Sequence, residues 1–187
     1  PVVAATGTAT GVPSEVGVRI TNVNSTSLTV QWDPVGANPA VSTIYVTLGS
    51  ETKPVPGNAT EVTFSNLEQG KRYRASVTAE NAQGSKTMSE HPDAVTKLDV
   101  NLTWTEACQG LEKHKLPGGC HTFTLSAPGW ADTSLAHKCT IRSDVDGWTE
   151  EVTIGRAGPI ASQIATRADS EATFAQAVRI VGDCRPE

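Results

Sequence analysis

Apolar and polar residues alternate in short runs through the first half of the chain. In residues 27–32, single polar residues separate three apolar ones that end at Trp32, and residues 73–80 repeat the pattern. A period of two predicts antiparallel strands that bury one side. Further strands are predicted near residues 16–22, 43–48, 60–65 and 93–97. Short strands separated by turns predict a β-sandwich over residues 13–97, with residues 1–12 as a linker or the end of an upstream domain.

Three motifs follow one another in the stretch 13–96. They are the run LTVQWDP at residues 28–34, a leucine (Leu67) six residues before a tyrosine (Tyr73), and the pattern V-x-A-x-N-x-x-G at residues 77–84. In these motifs the stretch resembles a fibronectin type III domain.

The resemblance implies roles for three residues. Trp32 and Leu67 would belong to the structural core between two sheets, and Tyr73 would form a corner in which its hydroxyl bonds upstream backbone. The residues themselves support this, because a large aromatic on an inward face is a core residue and a buried tyrosine hydroxyl needs a partner. Two positions depart from the family pattern: Ile44 replaces a common tyrosine, and Gln69-Gly70 replaces a proline-containing pair.

The second half of the chain also alternates. Leu98, Val100, Leu102 and Trp104 are separated by single polar residues, and Trp104 is expected in the core. Further strands are predicted at residues 120–127, 137–143, 148–154, 160–166 and 171–181. The predicted fold class is therefore all-β, with two tandem β-sandwiches, the second of them Ig-like or fibronectin-like over residues 98–187.

All four cysteines lie in this second half: Cys108, Cys120, Cys139 and Cys184. An even number of cysteines in one small domain predicts disulfides and therefore an oxidising, extracellular location. A zinc site is the alternative, but it would favour C-x-x-C pairs, and these cysteines are much farther apart. Among the possible pairings, Cys108–Cys120 and Cys139–Cys184 are favoured. This half has a strand with Cys139 that is followed by Asp-Gly-Trp at residues 146–148. In this respect it loosely resembles disulfide-bearing domains of bacterial surface or secreted proteins.

Charge and hydropathy limit the partners. The net charge is -5 and no basic stripe occurs, so we expect no nucleic-acid partner. No apolar run approaches the roughly 18 residues of a membrane helix, so we expect no direct membrane insertion. Because the chain begins with Pro1 rather than methionine, we interpret it as a monomeric fragment of a larger, processed protein.

Motifs of catalysis are missing from the sequence. There is no nucleophile elbow, zinc-protease motif, phosphate loop or dinucleotide fingerprint, so we expect neither an enzyme nor a cofactor. His121 and His137 could share a metal site, but strand-edge histidines are the simpler interpretation, and we expect no metal. Residues 144–147 (DVDG) could begin a weak cation site, although a hairpin turn explains them better.

Two tryptophans are candidate ligand contacts. Trp130 lies in a Pro-Gly-containing loop, and Trp148 follows the Asp-Gly turn. An exposed tryptophan can stack on a sugar or enter a pocket of a protein partner, whereas a Trp130 folded back over the end of its sandwich would do neither.

The expected function is a non-catalytic, extracellular or cell-surface interaction and spacer module with a protein or glycan ligand. One alternative is the accessory region of a secreted polysaccharide-degrading enzyme, and another is the ectodomain of a membrane receptor or sensor.

Overall fold

The computed structural model describes residues 10–105, 122–144, 149–155 and 178–187. All regular structure in these ranges is β-strand, which confirms the predicted all-β class. The chain divides into two compact units. Unit 1 comprises the described residues of Pro1–Leu67 and Arg72–Thr96, and unit 2 comprises those of Glu68–Lys71 and Lys97–Glu187.

Unit 1 contains two antiparallel sheets. The smaller sheet has the order β1 (Val18–Thr21), β2 (Leu28–Trp32) and β5 (Glu61–Phe64). The larger sheet has the order β4 (Glu51–Pro56), β3 (Thr43–Leu48), β6 (Arg72–Asn81) and β7 (Gly84–Thr87), and β8 (Asp93–Val95) also pairs with β6. Strands β4 and β7 are additional to those that the alternation predicts, because both are short edge strands with little apolar content.

The two sheets of unit 1 enclose one hydrophobic core. On β2 the buried apolar side chains are Leu28, Val30 and Trp32, as the period of two predicts, and the outward Thr29 is also buried. The indole of Trp32 is only 1% exposed, and its Nε1–H donates a 2.9 Å hydrogen bond to the carbonyl of Ala59. The inward side chains of β3 and β6 complete this core from the other sheet: Ile44, Val46, Leu48, Ala75, Val77 and Ala79. Leu67 and Tyr73 are partly buried and pack against its margin.

Unit 2 is built from five described strands. Strands β9 (Asn101–Thr105) and β10 (Thr122–Ser126) form a two-stranded antiparallel sheet. Strand β11 (His137–Ser143) lies between β12 (Thr149–Ile154) and β13 (Val178–Pro186) in a three-stranded one. The strand predicted at residues 160–166 and the Asp146-Gly147 turn lie outside the described residues. Strands β11 and β12, which flank these two residues in the sequence, pair antiparallel as far as Arg142 and Thr149.

A disulfide joins the central strand of this sheet to its neighbour. Cys139 on β11 is bonded to Cys184 on β13, which is the pairing that the sequence favours, and both side chains are buried in the core of unit 2. The register between the two strands shifts around Cys139, and Gly182 occupies a left-handed conformation with φ of 71° beside the shift. An irregularity of this kind locally interrupts the ladder, and the disulfide bridges it. Cys108 and Cys120 lie outside the described residues.

Candidate interaction face

The outward face of the larger sheet of unit 1 carries several hydroxyl groups in adjacent rows. Strand register places Pro54, Tyr45, Thr78 and Thr87 in one row across four strands. Because residues directly opposite one another share a face, this row and its two neighbours form one continuous surface. We name this surface the hydroxyl face, and its members are Thr43, Tyr45, Thr47, Thr52, Pro54, Pro56, Ser76, Thr78, Ser85 and Thr87.

Tyr45 lies at the centre of the hydroxyl face. Its side chain is 36% exposed and is one of three large hydrophobic side chains that are exposed among the described residues. It is flanked in its row by Pro54 on β4 and by Thr78 on β6. The central row spans three strand spacings, or roughly 14 Å.

Cross-strand hydrogen bonds fix the threonines around the tyrosine. The hydroxyls of Thr47 and Thr52 are 2.9 Å apart, and those of Thr78 and Thr87 are 2.8 Å apart. Threonine is stiff at χ1, so paired threonines hold a set orientation. Each pair uses one hydroxyl hydrogen between its members, which leaves the second hydrogen and several lone pairs for a ligand.

The hydroxyl face is nearly free of charge. In its three rows Glu80, beside Ser85, is the single ionisable acid or base apart from the tyrosine, and the exposed Arg74 borders the face beyond Ser76 on β6. The outward face of the smaller sheet also carries a row of threonines, Thr21, Thr29 and Thr63, but it differs in charge, because Arg19, Gln31 and Glu61 form a second row there. That row is tied by polar contacts, such as Gln31 Nε2 to Glu61 Oε2 at 2.9 Å. A charged face is a solvated surface, whereas an uncharged one with a central aromatic ring suits a binding surface.

The free edge of the same sheet is blocked to another strand. Strand β4 is an edge strand, and prolines stand at its alternate positions 54 and 56. Alternate residues of an antiparallel strand point their N–H groups outward, and proline has none. The outward edge therefore lacks two donors that an added strand would need, which disfavours edge-to-edge association and leaves the face as the surface available for binding.

Trp130 does not have the exposure that a ligand contact needs. Its side chain is only 9% exposed and belongs to the hydrophobic core of unit 2. The ring meets that of His137 edge to face, with centroids 5.4 Å apart. On another side it lies against Gly155, where an added Cβ would come within 2.8 Å of the indole. The loop that carries Trp130 is therefore folded back onto its own unit, which is the alternative to an exposed ring that the sequence leaves open. Gly155 has no side chain, and this leaves room for the indole ring. Trp148 lies outside the described residues. Trp104 is part of β9, but its side chain is outside the described part of the structure.

His137 is a buried base rather than a strand-edge histidine. Its side chain has no exposed area, and Nδ1–H donates a 2.7 Å hydrogen bond to the carbonyl of Leu135. Nε2 has no hydrogen-bond partner within the described residues. Burial lowers the pKa of His137 below its ordinary value of 6.5, and the bond to Leu135 opposes this shift only in part.

Possible metal ligands do not converge in the described part of the chain. No group of three histidine, cysteine, aspartate or glutamate side chains there is placed to hold an ion. Asp144, the first residue of the predicted cation motif, instead contacts Arg142 at 3.1 Å and Arg179 at 3.6 Å. His121 and residues 145–148 lie outside the described ranges.

The sequence contains the members of the hydroxyl face but does not reveal them as a site. Strand β3 is predicted from its apolar positions, which draws attention to the inward side chains rather than to Tyr45. Strand β4 is missed because Pro54 and Pro56 argue against a strand. The available signal is that threonine or serine occupies two alternate positions in each of β3, β6 and β7.

Comparison with known proteins identifies the first part of the chain. Residues 11–95 match the family model of the fibronectin type III domain. The chain matches no curated protein.

Three solved structures illustrate the similarity. The fn3 domain of human collagen alpha-1(XX) chain is 23% identical with a TM-score of 0.39, covering 49% of this chain and 90% of that one. The two-domain fibronectin type III segment of chicken tenascin is 12% identical with a TM-score of 0.48, covering 81% and 82%. A chitinase, ChiA74 from Bacillus thuringiensis, is 17% identical with a TM-score of 0.41; 84% of this chain matches 26% of that one.

A search of the described residues for long apolar helices finds none that could span a membrane.

Proposed function

Since residues 11–95 are a fibronectin type III domain, we propose that the chain is a non-catalytic, extracellular interaction and spacer module that binds its partner through the hydroxyl face. In this proposal the chain consists of two tandem β-sandwiches with a border near residues 97–98. The second sandwich is held by disulfides, which suits an oxidising location outside the cell.

The hydroxyl face is the observation that carries the proposal. Tyr45 is exposed there at the centre of a sheet surface whose three rows carry one carboxylate, Glu80, whereas the opposite sheet of the same unit carries a row with both a basic and an acidic side chain. Aromatic residues are enriched where proteins bind partners, and charged residues are depleted from the centres of such interfaces. A rigid sandwich that presents such a face binds without chemical change to its partner.

The experiment measures how the purified chain binds to the extracellular material of its source cells. We expect Tyr45→Lys to weaken this binding at least tenfold, because it places a charge in the middle of a neutral face. The matched control is Gln31→Lys, which adds the same charge to the outward face of the other sheet. Equal binding by the two variants would mean that the hydroxyl face is not the interaction surface.

A second function is favoured by the composition of the same face. The accessory region of a polysaccharide-degrading enzyme would also need a flat, neutral, hydroxyl-bearing surface with an aromatic ring. Growing the source organism on different polysaccharides and locating the native protein would separate the two. An accessory region co-purifies with a catalytic domain of the same polypeptide, whereas an independent spacer module does not.

A further inference from the structure

We propose that the hydroxyl face takes a neutral polysaccharide, with Tyr45 as the ring on which a sugar unit stacks. This inference rests on the proposed function and names its partner. It replaces Trp130, whose ring is buried, with a residue that the sheet presents to solvent.

The first argument is the shape and polarity of the surface. A pyranose ring has an apolar face of C–H groups and a rim of hydroxyls. Tyr45 offers an exposed aromatic ring, and Pro54, opposite it in the central row, extends the apolar area with a rigid side chain. Together the two side chains can cover the C–H face of a sugar, while hydroxyl side chains of the neighbouring rows reach the sugar hydroxyls at its rim.

The second argument is the supply of hydrogen-bonding groups. The Thr78–Thr87 pair lies in the same row as Tyr45, and the Thr47–Thr52 pair lies in the next row. Both pairs are already oriented by their mutual hydrogen bonds, so little side-chain freedom is lost when a ligand binds. A hydroxyl that donates and accepts is the natural partner of a sugar hydroxyl.

The third argument is electrostatic. A nucleic-acid partner is recognised largely through basic residues that neutralise its phosphates, and the three rows contain one carboxylate and no basic residue. The chain as a whole has a net charge of -5, which repels anionic polymers. A neutral polymer of sugars has no charge for the protein to repel, so it can bind this face without an electrostatic penalty.

The test uses the full chain with chitin, cellulose, chitohexaose and cellohexaose as probes, and hyaluronan as an anionic comparison. We expect retention on at least one insoluble neutral polymer and no retention by hyaluronan. In titration with the matching hexasaccharide, backbone amide resonances of Thr43–Leu48 and of the non-proline residues of β4 should shift, and those of Val18–Thr21 should not.

Two variants and a control show whether the ring is responsible. Tyr45→Ala should reduce affinity about tenfold, and Tyr45→Phe should retain most of it because the ring remains. Gln31→Ala on the other sheet should bind as the parent does. Unfolding midpoints of all three should match the parent, since each altered side chain lies outside the core.

The outcomes distinguish this inference from the proposed function. If the source material binds in a Tyr45-dependent way but no neutral polysaccharide does, the partner is not a glycan and the inference is overturned while the interaction module stands. If protease treatment of the source material abolishes that binding, the same conclusion follows. If the amide resonances that shift on addition of the hexasaccharide belong to the smaller sheet, the hydroxyl face is not the glycan site.

Discussion

Removal of the Cys139–Cys184 disulfide should destabilise unit 2 selectively. The bond closes a loop with a sequence separation of 45, for which loop-closure entropy amounts to about 4 kcal/mol at 25 °C. The double variant Cys139→Ala with Cys184→Ala removes the bond and leaves apolar side chains in a buried site. Because every 1.4 kcal/mol is about a tenfold change, protection of the β11 amides against hydrogen exchange should fall by about a thousandfold.

Hydrogen exchange with mass spectrometry reads the two units separately. Peptides that cover β3 serve as the internal control, because unit 1 contains no cysteine and its protection should not change. If β11 protection in the Cys139/Cys184 variant falls by less than about tenfold, the bond does not stabilise the sheet in the way that loop closure requires.

Three further predictions concern single residues. Burial lowers the pKa of His137, so below about pH 6.5 the unfolded chain binds more protons than the folded chain. The free energy of unfolding should therefore decrease as the pH is lowered, and the loss at about pH 5.5 should be at most about 1.4 kcal/mol. His137→Leu should remove this part of the pH dependence in urea unfolding, and identical pH profiles of variant and parent would contradict it. Asn81→Ala should cost unit 1 about 2–3 kcal/mol in denaturant unfolding, because Asn81 is buried and its amide donates to Gly11 at 2.8 Å and Pro39 at 2.9 Å; a loss below about 1 kcal/mol would refute this. Gly57→Ala should lower the melting temperature, since its Cβ would lie 1.9 Å from the Val41 carbonyl oxygen, whereas Gly11→Ala, with nothing within 4 Å, should leave it unchanged.

The strands that sequence reasoning finds are those whose burial is periodic. Strands β2 and β6 alternate apolar and polar residues because one side of each faces the core, and this requirement is visible in the sequence itself. Strand β4 is missed because its alternating prolines are unfavourable in a general strand. They are tolerated only because β4 has a free edge, and strand order is a property of the tertiary structure.

Trp130 shows the same limit for a candidate site. Its Pro-Gly neighbours indicate a loop, and a loop is where it lies. Whether the ring is exposed depends on what the loop meets. Here it meets His137, the first residue of the strand that follows the loop, and Gly155, beyond the end of β12, and local composition carries no information about Gly155.

The sequence by itself determined the β class, the fibronectin type III segment and the presence of a disulfide, because each follows from the pattern and number of residues. The tertiary structure alone decided which polar side chains meet. Tyr45, Pro54 and Thr87 come from three strands, and only the hydrogen-bonded register between strands sets them in one row. A shift of one residue in that register would turn the same side chains toward the core, so the face exists through pairing rather than through composition.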